Sequence, residues 1–277
     1  MAPARPWAGR SLLFVPGDRP DRFDKALKST AAVVCLDLED AVAPADKPDA
    51  RQAVMARLAE RPDPRLAVRI NTLASRDGML DLLALEALPS LPLILVPKVE
   101  SAEELRIAAA VLGHRGPALV PLVETLPGIA RAAEIAGAPF CAALMFGGAD
   151  YAAELGVAPA WEPLLAARHA LVAAGALGGV PVIDMPWLDI EDEAGLMDEA
   201  NRARALGFSA KAAIHPAQVD PIEAAFRPSE AEIAHAHAAV ERFEEAGGRA
   251  IRFEGELLDA PVIKRYRRLL ALSGALA

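Results

Sequence analysis

Eight short apolar, β-branched runs recur along the chain, and each is followed by a longer stretch with helical periodicity. The runs fall at 11–17 (SLLFVPG), 32–39 (AVVCLDLE), 66–71, 93–98, 118–124, 141–147, 180–186 and 210–216. They are hydrophobic nearly throughout and do not alternate. Strands built from them need cover on both faces, as in a parallel sheet flanked by helices. Eight strand–helix units in about 250 residues is the count of a closed (β/α)8 TIM barrel. A doubly wound sheet is the alternative, but it calls for a glycine-rich dinucleotide turn after the first strand, and VPGDRPDR is not one. A chain of 277 residues can bury such a core without disulfides. Its two cysteines, Cys35 and Cys141, both lie inside apolar runs and read as buried thiols, which fits a reducing cytoplasm.

The alternation stops after the eighth unit. The expected organisation is an α/β barrel over 1–226 and a C-terminal helical extension over 227–277. The extension reads as a helix (SEAEIAHAHAAVERFEEAGG), a short hairpin (RAIRFEGELLDAP) and a closing helix. It exceeds what barrel closure requires, so it is expected to act as a lid or to reach a neighbouring subunit. The first ten residues, MAPARPWAGR, contain no apolar core of a signal peptide. No run approaches the roughly 20 apolar residues of a membrane span. A net charge of −9 argues against a nucleic-acid surface, while leaving room for a local basic pocket. A cytoplasmic protein with no membrane or nucleic-acid partner is expected.

Active sites of such barrels lie at the C-terminal strand ends, and polar residues gather there. Asp37, Glu39 and Asp40 close the second run. Arg69 and Asn71 end the third, Lys98 the fourth and Glu124 the fifth. Asp150 follows the sixth, Asp184 ends the seventh and His215 the eighth. Any one of these is also explained as a helix cap or a counter-ion; the convergence of the whole set on one rim is not. Glu124 and Asp150 are two hard oxygen ligands on adjacent units, a pair suited to Mg²⁺ with water and substrate oxygens completing the shell. The five histidines are scattered, and His235 and His237 read as solvated helix surface, so zinc is not indicated. Arg69 has the forked geometry that binds paired oxygens, or it neutralises Glu39 or Asp40. Lys98 as a Schiff-base lysine is disfavoured, because acidic neighbours raise its pKa. Arg19, Arg22, Lys25 and Lys28 form a local basic group after the first strand, suited to phosphates or simply to solvent.

Seven ordered segments carry a family resemblance: RSLLFVPGDRPDRFDKAL, VVCLDLEDAV, VRIN, LVPKVESAEEL, PLVETLPGIARAAEIA, ALMFGGADYAAELG and RALGFSAKAAIHPAQV. Together they resemble the citrate lyase beta-subunit family, which includes malyl-CoA and citramalyl-CoA lyases. The resemblance implies a barrel that binds Mg²⁺ and a coenzyme A or acyl-carrier thioester, often as a homotrimer or a dimer of trimers. It puts the metal ligands on Glu124 and Asp150, the substrate-binding arginine on Arg69, and carboxylates that hold metal-bound water on Glu39 and Asp40. Asp37 is structural on this reading. The thioester is expected near Phe14, Lys25, Ile214 and His215. The family's D-x-P motif falls on Asp259, implying a catalytic acid, often supplied by a neighbour's lid. Two stretches depart from the family pattern: Met185, Pro186 and Trp187 after the seventh strand, and Ala210 where relatives usually have glycine.

The implied reaction is retro-Claisen cleavage of a 3-hydroxyacyl-CoA (citramalyl-CoA, malyl-CoA or a citryl thioester) to a 2-oxo acid and an acetyl thioester. The rival readings are a malyl-CoA thioesterase, a metal-dependent aldolase acting on free 4-hydroxy-2-oxo acids, and a beta subunit of a citrate lyase complex working with an acyl-carrier protein.

Overall fold

The structure is a computed structural model and describes residue 7 and residues 9–273. Eight parallel strands close into a barrel in sequence order: β1 (Ser11–Pro16), β2 (Val33–Asp37), β3 (Leu66–Arg69), β4 (Leu93–Val96), β5 (Ala118–Val123), β6 (Leu144–Phe146), β7 (Val182–Asp184) and β8 (Ala210–Ala213), with β8 pairing back onto β1. Strand alternation divides the apolar side chains into two layers. Leu12, Val33, Cys35, Ala67, Leu95 and Val120 fill the barrel interior. Leu13, Val34, Leu36, Val68, Ile94 and Leu119 face outward to the surrounding helices. A closed parallel sheet covered this way has no exposed edge, which is why the runs carry so few polar residues.

The strands are shorter than the runs. Pairing stops at Asp37, Arg69, Val96 and Val123, so Glu39, Asn71, Lys98 and Glu124 lie one or two residues past the sheet, in the loops of the barrel mouth. Two expected helices are also broken. The segment after β1 is a 3-10 turn (Pro20–Arg22) followed by one α-turn (Phe23–Ala26). The segment after β5 is two short helices, Leu126–Ala130 and Ala132–Ala136, that meet at Arg131, whose backbone leaves the helical region.

The chain divides after Phe226 into two compact units. The second has its own small core, in which Ala236, Ala239 and Phe243 of the helix Glu230–Glu245 pack with Leu258, Ile263 and Tyr266. Ser229 and Glu232 cap that helix reciprocally. A hairpin, β9 (Ile251–Phe253) and β10 (Glu256–Leu258), turns through Glu254 and Gly255, both at positive φ, as a two-residue turn matched to strand twist requires. His235 is not the solvated residue expected. It is half-buried, 3.1 Å from both Glu254 Oε2 and the Tyr266 hydroxyl. His237 is exposed. Among the described residues no helix is long and apolar enough to cross a membrane.

Cys35 lies inside the barrel, and Cys141 lies just before β6 under the helices; both are buried and unpaired. Burial pushes the Cys35 thiol well above its ordinary pKa and the Cys141 thiol up to about 12. The thiolate is the reactive form. Iodoacetamide at pH 8 should therefore label neither residue in the folded protein and both in urea, as read by mass spectrometry. Rapid labelling of the native protein would contradict this packing.

Candidate functional site

Asp37 and Arg69 are the last residues of β2 and β3 and stand opposite each other in the sheet register. Arg69 donates from Nε and Nη2 to the two Asp37 oxygens, at 2.7 and 2.5 Å. Its Nη1 is 3.0 Å from Glu39 Oε2, and its guanidinium lies 4.8 Å from the centre of the Phe14 ring. The Nη1–Glu39 approach is an ion pair without hydrogen-bond geometry, so Glu39 Oε2 is buried with no hydrogen-bond partner. Burial raises the Glu39 pKa, with Arg69 and Lys98 opposing.

The loop carrying Glu39 is pinned from behind. Lys47 Nζ donates to the carbonyls of Leu38 and Glu39, both at 3.0 Å, and to Asn71 Oδ1. Asn71 donates its backbone and side-chain N–H groups to Asp81 Oδ2 at 2.8 Å, and Asp81 Oδ1 accepts from Arg51 at 2.5 Å. Asn71, expected among the rim residues, is thus a strut for the loop.

Across the mouth, Glu124 is 3% exposed and accepts the Lys98 backbone N–H at 2.8 Å. A Cβ at Gly147 would lie 1.9 Å from Glu124 Oε2, so the absence of a side chain at 147 is what lets this carboxylate take its place. Burial, then the charges of Glu39 and Asp150, push the Glu124 pKa up to about 8. Asp150 sits in the first turn of the helix Gly148–Leu155, which favours an anion there. The Lys98 ammonium contacts Glu39 Oε1 and stands 3.6 Å from Asp40 Oδ2 and 3.5 Å from Asp150 Oδ2. Burial works to lower the Lys98 pKa, but the Glu39 hydrogen bond and the surrounding carboxylates outweigh it and hold it well above the ordinary lysine range. That is the wrong direction for an imine-forming amine.

These groups open into a cavity of about 280 Å³ whose lining includes Phe14, Arg69, Glu124, Asp150, Met185 and Ile214, together with Asp40. A second cavity of about 360 Å³ adjoins it, sharing Phe14, Pro16 and Ile214, and is lined also by Arg22, Lys25 and His215. The structure therefore brings Phe14, Lys25, Arg69, Glu124, Ile214 and His215 to two adjoining hollows. His215 Nδ1 accepts from Ala217 N at 3.2 Å and caps the turn Pro216–Gln218, leaving the other ring edge for a ligand. Arg19 is tied to Asp21 at 3.0 Å instead of facing the hollow. Asp259 lies in the C-terminal unit, where its Oδ1 accepts from Val262 N at 3.1 Å and caps the helix Ala260–Ser273.

Asp184 does not join the mouth. It is fully buried between Arg168 of the helix Trp161–Gly178 (3.0 Å) and Lys211 of β8 (2.9 Å), and both cations also meet Glu199, at 3.1 and 2.6 Å. These cations outweigh the effect of burial and lower the Asp184 pKa. Lys211 Nζ also donates to the Met185 carbonyl at 2.7 Å, and Gln218 ties Trp187 O to the Ile214 backbone. The quartet fixes the Met185–Pro186 wall of the first cavity.

Among the described residues no group of three or more His, Cys, Asp or Glu side chains is arranged to hold a metal. The donors at hand in the first cavity include the hard carboxylates Glu124 and Asp150, and Glu124 is seated by Gly147 with its pKa raised by burial and then by neighbouring negative charge. That set fits a Mg²⁺ ion that keeps most of its positions for water and ligand oxygens.

Residues 10–216 match the family model HpcH/HpaI aldolase/citrate lyase. A citrate lyase subunit beta-like protein of Mycobacterium tuberculosis is 39% identical over 277 residues, covering 96% of each chain. An L-malyl-CoA/beta-methylmalyl-CoA lyase of Rhodobacter capsulatus is 34% identical, covering 95% of this chain and 93% of its own. A (3S)-malyl-CoA thioesterase of Cereibacter sphaeroides is also 34% identical, covering 97% and 95%. The solved structure of protein CitE from M. tuberculosis in complex with magnesium, acetoacetate and coenzyme A superposes with a TM-score of 0.83 at 37% identity, covering 96% of this chain and 98% of that one. The chain belongs to the HpcH/HpaI aldolase/citrate lyase family and is a lyase built on a (β/α)8 barrel.

Removing one partner from a buried ion cluster leaves uncompensated charge, which costs about 3–5 kcal/mol. Asp184→Ala should lower the unfolding free energy by that amount in urea titrations followed by circular dichroism. A loss under about 1 kcal/mol would mean that Arg168 and Lys211 do not depend on it.

Proposed function

We propose that the chain is a Mg²⁺-dependent carbon–carbon lyase that splits a 3-hydroxyacyl-CoA bearing a carboxylate on its hydroxyl carbon. The observation that carries this reading is the pair of adjoining cavities. One holds Arg69 and the carboxylates; the other continues past Phe14 and Ile214 to the cations Arg22 and Lys25. A free 4-hydroxy-2-oxo acid would use only the first, whereas an acyl thioester with a phosphate-bearing tail uses both. The M. tuberculosis structure in complex with magnesium, acetoacetate and coenzyme A supports a reading that needs both a metal and a coenzyme A moiety.

Glu124 and Asp150 would hold the ion, whose contribution is Lewis-acid stabilisation of negative charge on the substrate's hydroxyl oxygen. Arg69 has five N–H donors and gives two to Asp37, so three remain for a substrate oxygen, with Glu39 alongside as an ion pair. Asp37 locks the guanidinium plane, which orients those donors before substrate arrives. Glu39 and Asp40 face the same charge cluster and would accept from bound water. Phe14, Lys25, Ile214 and His215 would hold the thioester arm. Asp259 is the proposed acid that protonates the enolate carbon of the departing acetyl thioester, supplied by a lid within a homotrimer.

Arg69 is the one cation among the described residues lining the first cavity, and Leu122, Met145, Met185 and Pro186 form an apolar part of its wall. The second carboxylate of a citryl thioester would find no counter-charge there, while hydrogen or methyl on the hydroxyl carbon fits. Malyl-CoA or citramalyl-CoA is therefore the proposed substrate class, with glyoxylate or pyruvate as the 2-oxo product. The two unpaired thiols support a cytoplasmic setting.

Thioester hydrolysis is the second reading, favoured by the thioesterase relative. Incubation with malyl-, citramalyl- and citryl-CoA, followed by mass spectrometry, separates the two. Acetyl-CoA plus a 2-oxo acid is expected; the intact hydroxy-di- or tricarboxylate plus coenzyme A would overturn the lyase reading.

Glu124→Ala and Asp150→Ala should each abolish Mg²⁺ binding in calorimetry and activity with it, because each removes one of two charged ligands from an ion that dehydrates reluctantly. Near-normal turnover in either variant, after chelation and re-addition of Mg²⁺, would refute the ligand assignment.

Asp259→Asn should keep its helix cap, because the amide oxygen still accepts, and should lose turnover by about 10²-fold or more, because an amide cannot deliver a proton. Mixing it with Arg69→Ala, once subunit exchange is shown independently, should restore part of the activity. Full activity of Asp259→Asn alone would remove this residue from the chemistry.

A further inference from the structure

Lys98 has a backbone φ of +54°, in the left-handed region that side chains other than glycine rarely adopt. Residues held in this way need strong local anchoring, and Lys98 is anchored at both ends. Its backbone N–H donates to Glu124 Oε1 at 2.8 Å. Its ammonium, on a side chain 36% exposed, meets Glu39 and stands 3.6 Å from Asp40 and 3.5 Å from Asp150. One residue thus touches four carboxylates, including both proposed metal ligands. It reaches Glu124 through an uncharged N–H and Asp150 through a full positive charge.

That asymmetry has a consequence for any cation bound between Glu124 and Asp150. The ammonium and the cation would share Asp150, and like charges within about 4 Å near a protein surface repel strongly. Arg69 pairs with Asp37 and Glu39 and with neither proposed ligand, whereas Lys98 contacts Asp150 itself. Lys98 stands behind Asp150 and is not itself among the described residues that line the first cavity.

We propose that Lys98 is a built-in competitor for the divalent cation. Its ammonium keeps Glu39, Asp40 and Asp150 gathered in one place and weakens Mg²⁺ binding through its claim on Asp150. The backbone N–H meanwhile keeps Glu124 aimed at the cavity. Lys98 is a positioning residue on this account and takes no part in bond cleavage. The inference rests on the Mg²⁺ reading above.

The test is calorimetric titration of MgCl₂ into chelator-treated protein, comparing the unsubstituted chain with Lys98→Met, Lys98→Gln and Lys98→Arg. The first two keep the backbone N–H and remove the charge; the third keeps the charge. Both neutral variants should bind Mg²⁺ at least about tenfold more tightly than the unsubstituted chain, a modest share of the effect of one charge at this range. Lys98→Arg should stay within about threefold. A merely structural role would weaken binding in the neutral variants instead. Unchanged or weaker affinity in whichever neutral variant melts cooperatively near the unsubstituted temperature overturns the proposal, while leaving the metal reading intact. No binding to the unsubstituted chain overturns both.

Discussion

The Arg69–Asp37 pair is the interaction on which the barrel mouth depends. It spans adjacent strand ends that the sheet register sets side by side, so strand pairing delivers the two groups to each other without loop ordering. A buried guanidinium is costly unless its donors are met. Asp37 meets two of them and also accepts the Glu39 backbone N–H at 3.0 Å. One buried carboxylate therefore sets both the plane of the arginine and the path of the loop that carries Glu39 and Asp40. Without it, the guanidinium would lose both hydrogen bonds that fix its plane, and the cavity would lose its oriented cation.

The remaining charges at the mouth make sense as a group. Glu39, Asp40, Glu124 and Asp150 outnumber the cations beside them; burial raises the pKa of both Glu39 and Glu124, and at Glu124 the neighbouring carboxylates add to it. A fold that only needed stability would dilute such a cluster. This one holds it with specific devices: a glycine at 147 that makes room for Glu124, a left-handed backbone at 98, and a lysine at 47 clamping the loop carbonyls. Perturbed titration in a cleft is a mark of a working site, and the donor chemistry here points to a hard cation.

The fold was legible because it rests on a local signal. Each buried parallel strand must be apolar throughout, and eight such runs can be counted. The mouth residues were legible for a related reason, since a polar side chain ending an apolar run has few structural uses. That reasoning failed where a distant helix intervened. Asp184 ends its run just as Arg69 does, but Arg168 reaches it from the helix between β6 and β7 and draws it into a buried quartet. Lys47, Arg51 and Asp81 left no trace in the pattern, because they sit on helices where a charged residue looks like ordinary solvated surface. His235 follows the same rule: its partners come from a hairpin and a helix 19 and 31 residues further along. Pairings across that many residues have no periodicity to reveal them.

The two clamps lie on opposite flanks of the mouth. Lys47, Asn71 and Asp81 fasten the loop after β2, and Lys211, Arg168 and Gln218 fasten the loop after β7. Between them, the segments after β1 and β8 each open with a single 3-10 turn that leads into a helix beside the second cavity. Gln218 belongs to both arrangements, since it holds Trp187 O on one side and the backbone N–H groups of Ile214 and His215 on the other. The two hollows are thereby carried on different loops, so under the proposed function a substitution near Lys25 can reshape the second without touching the Asp37 contacts that orient Arg69 in the first.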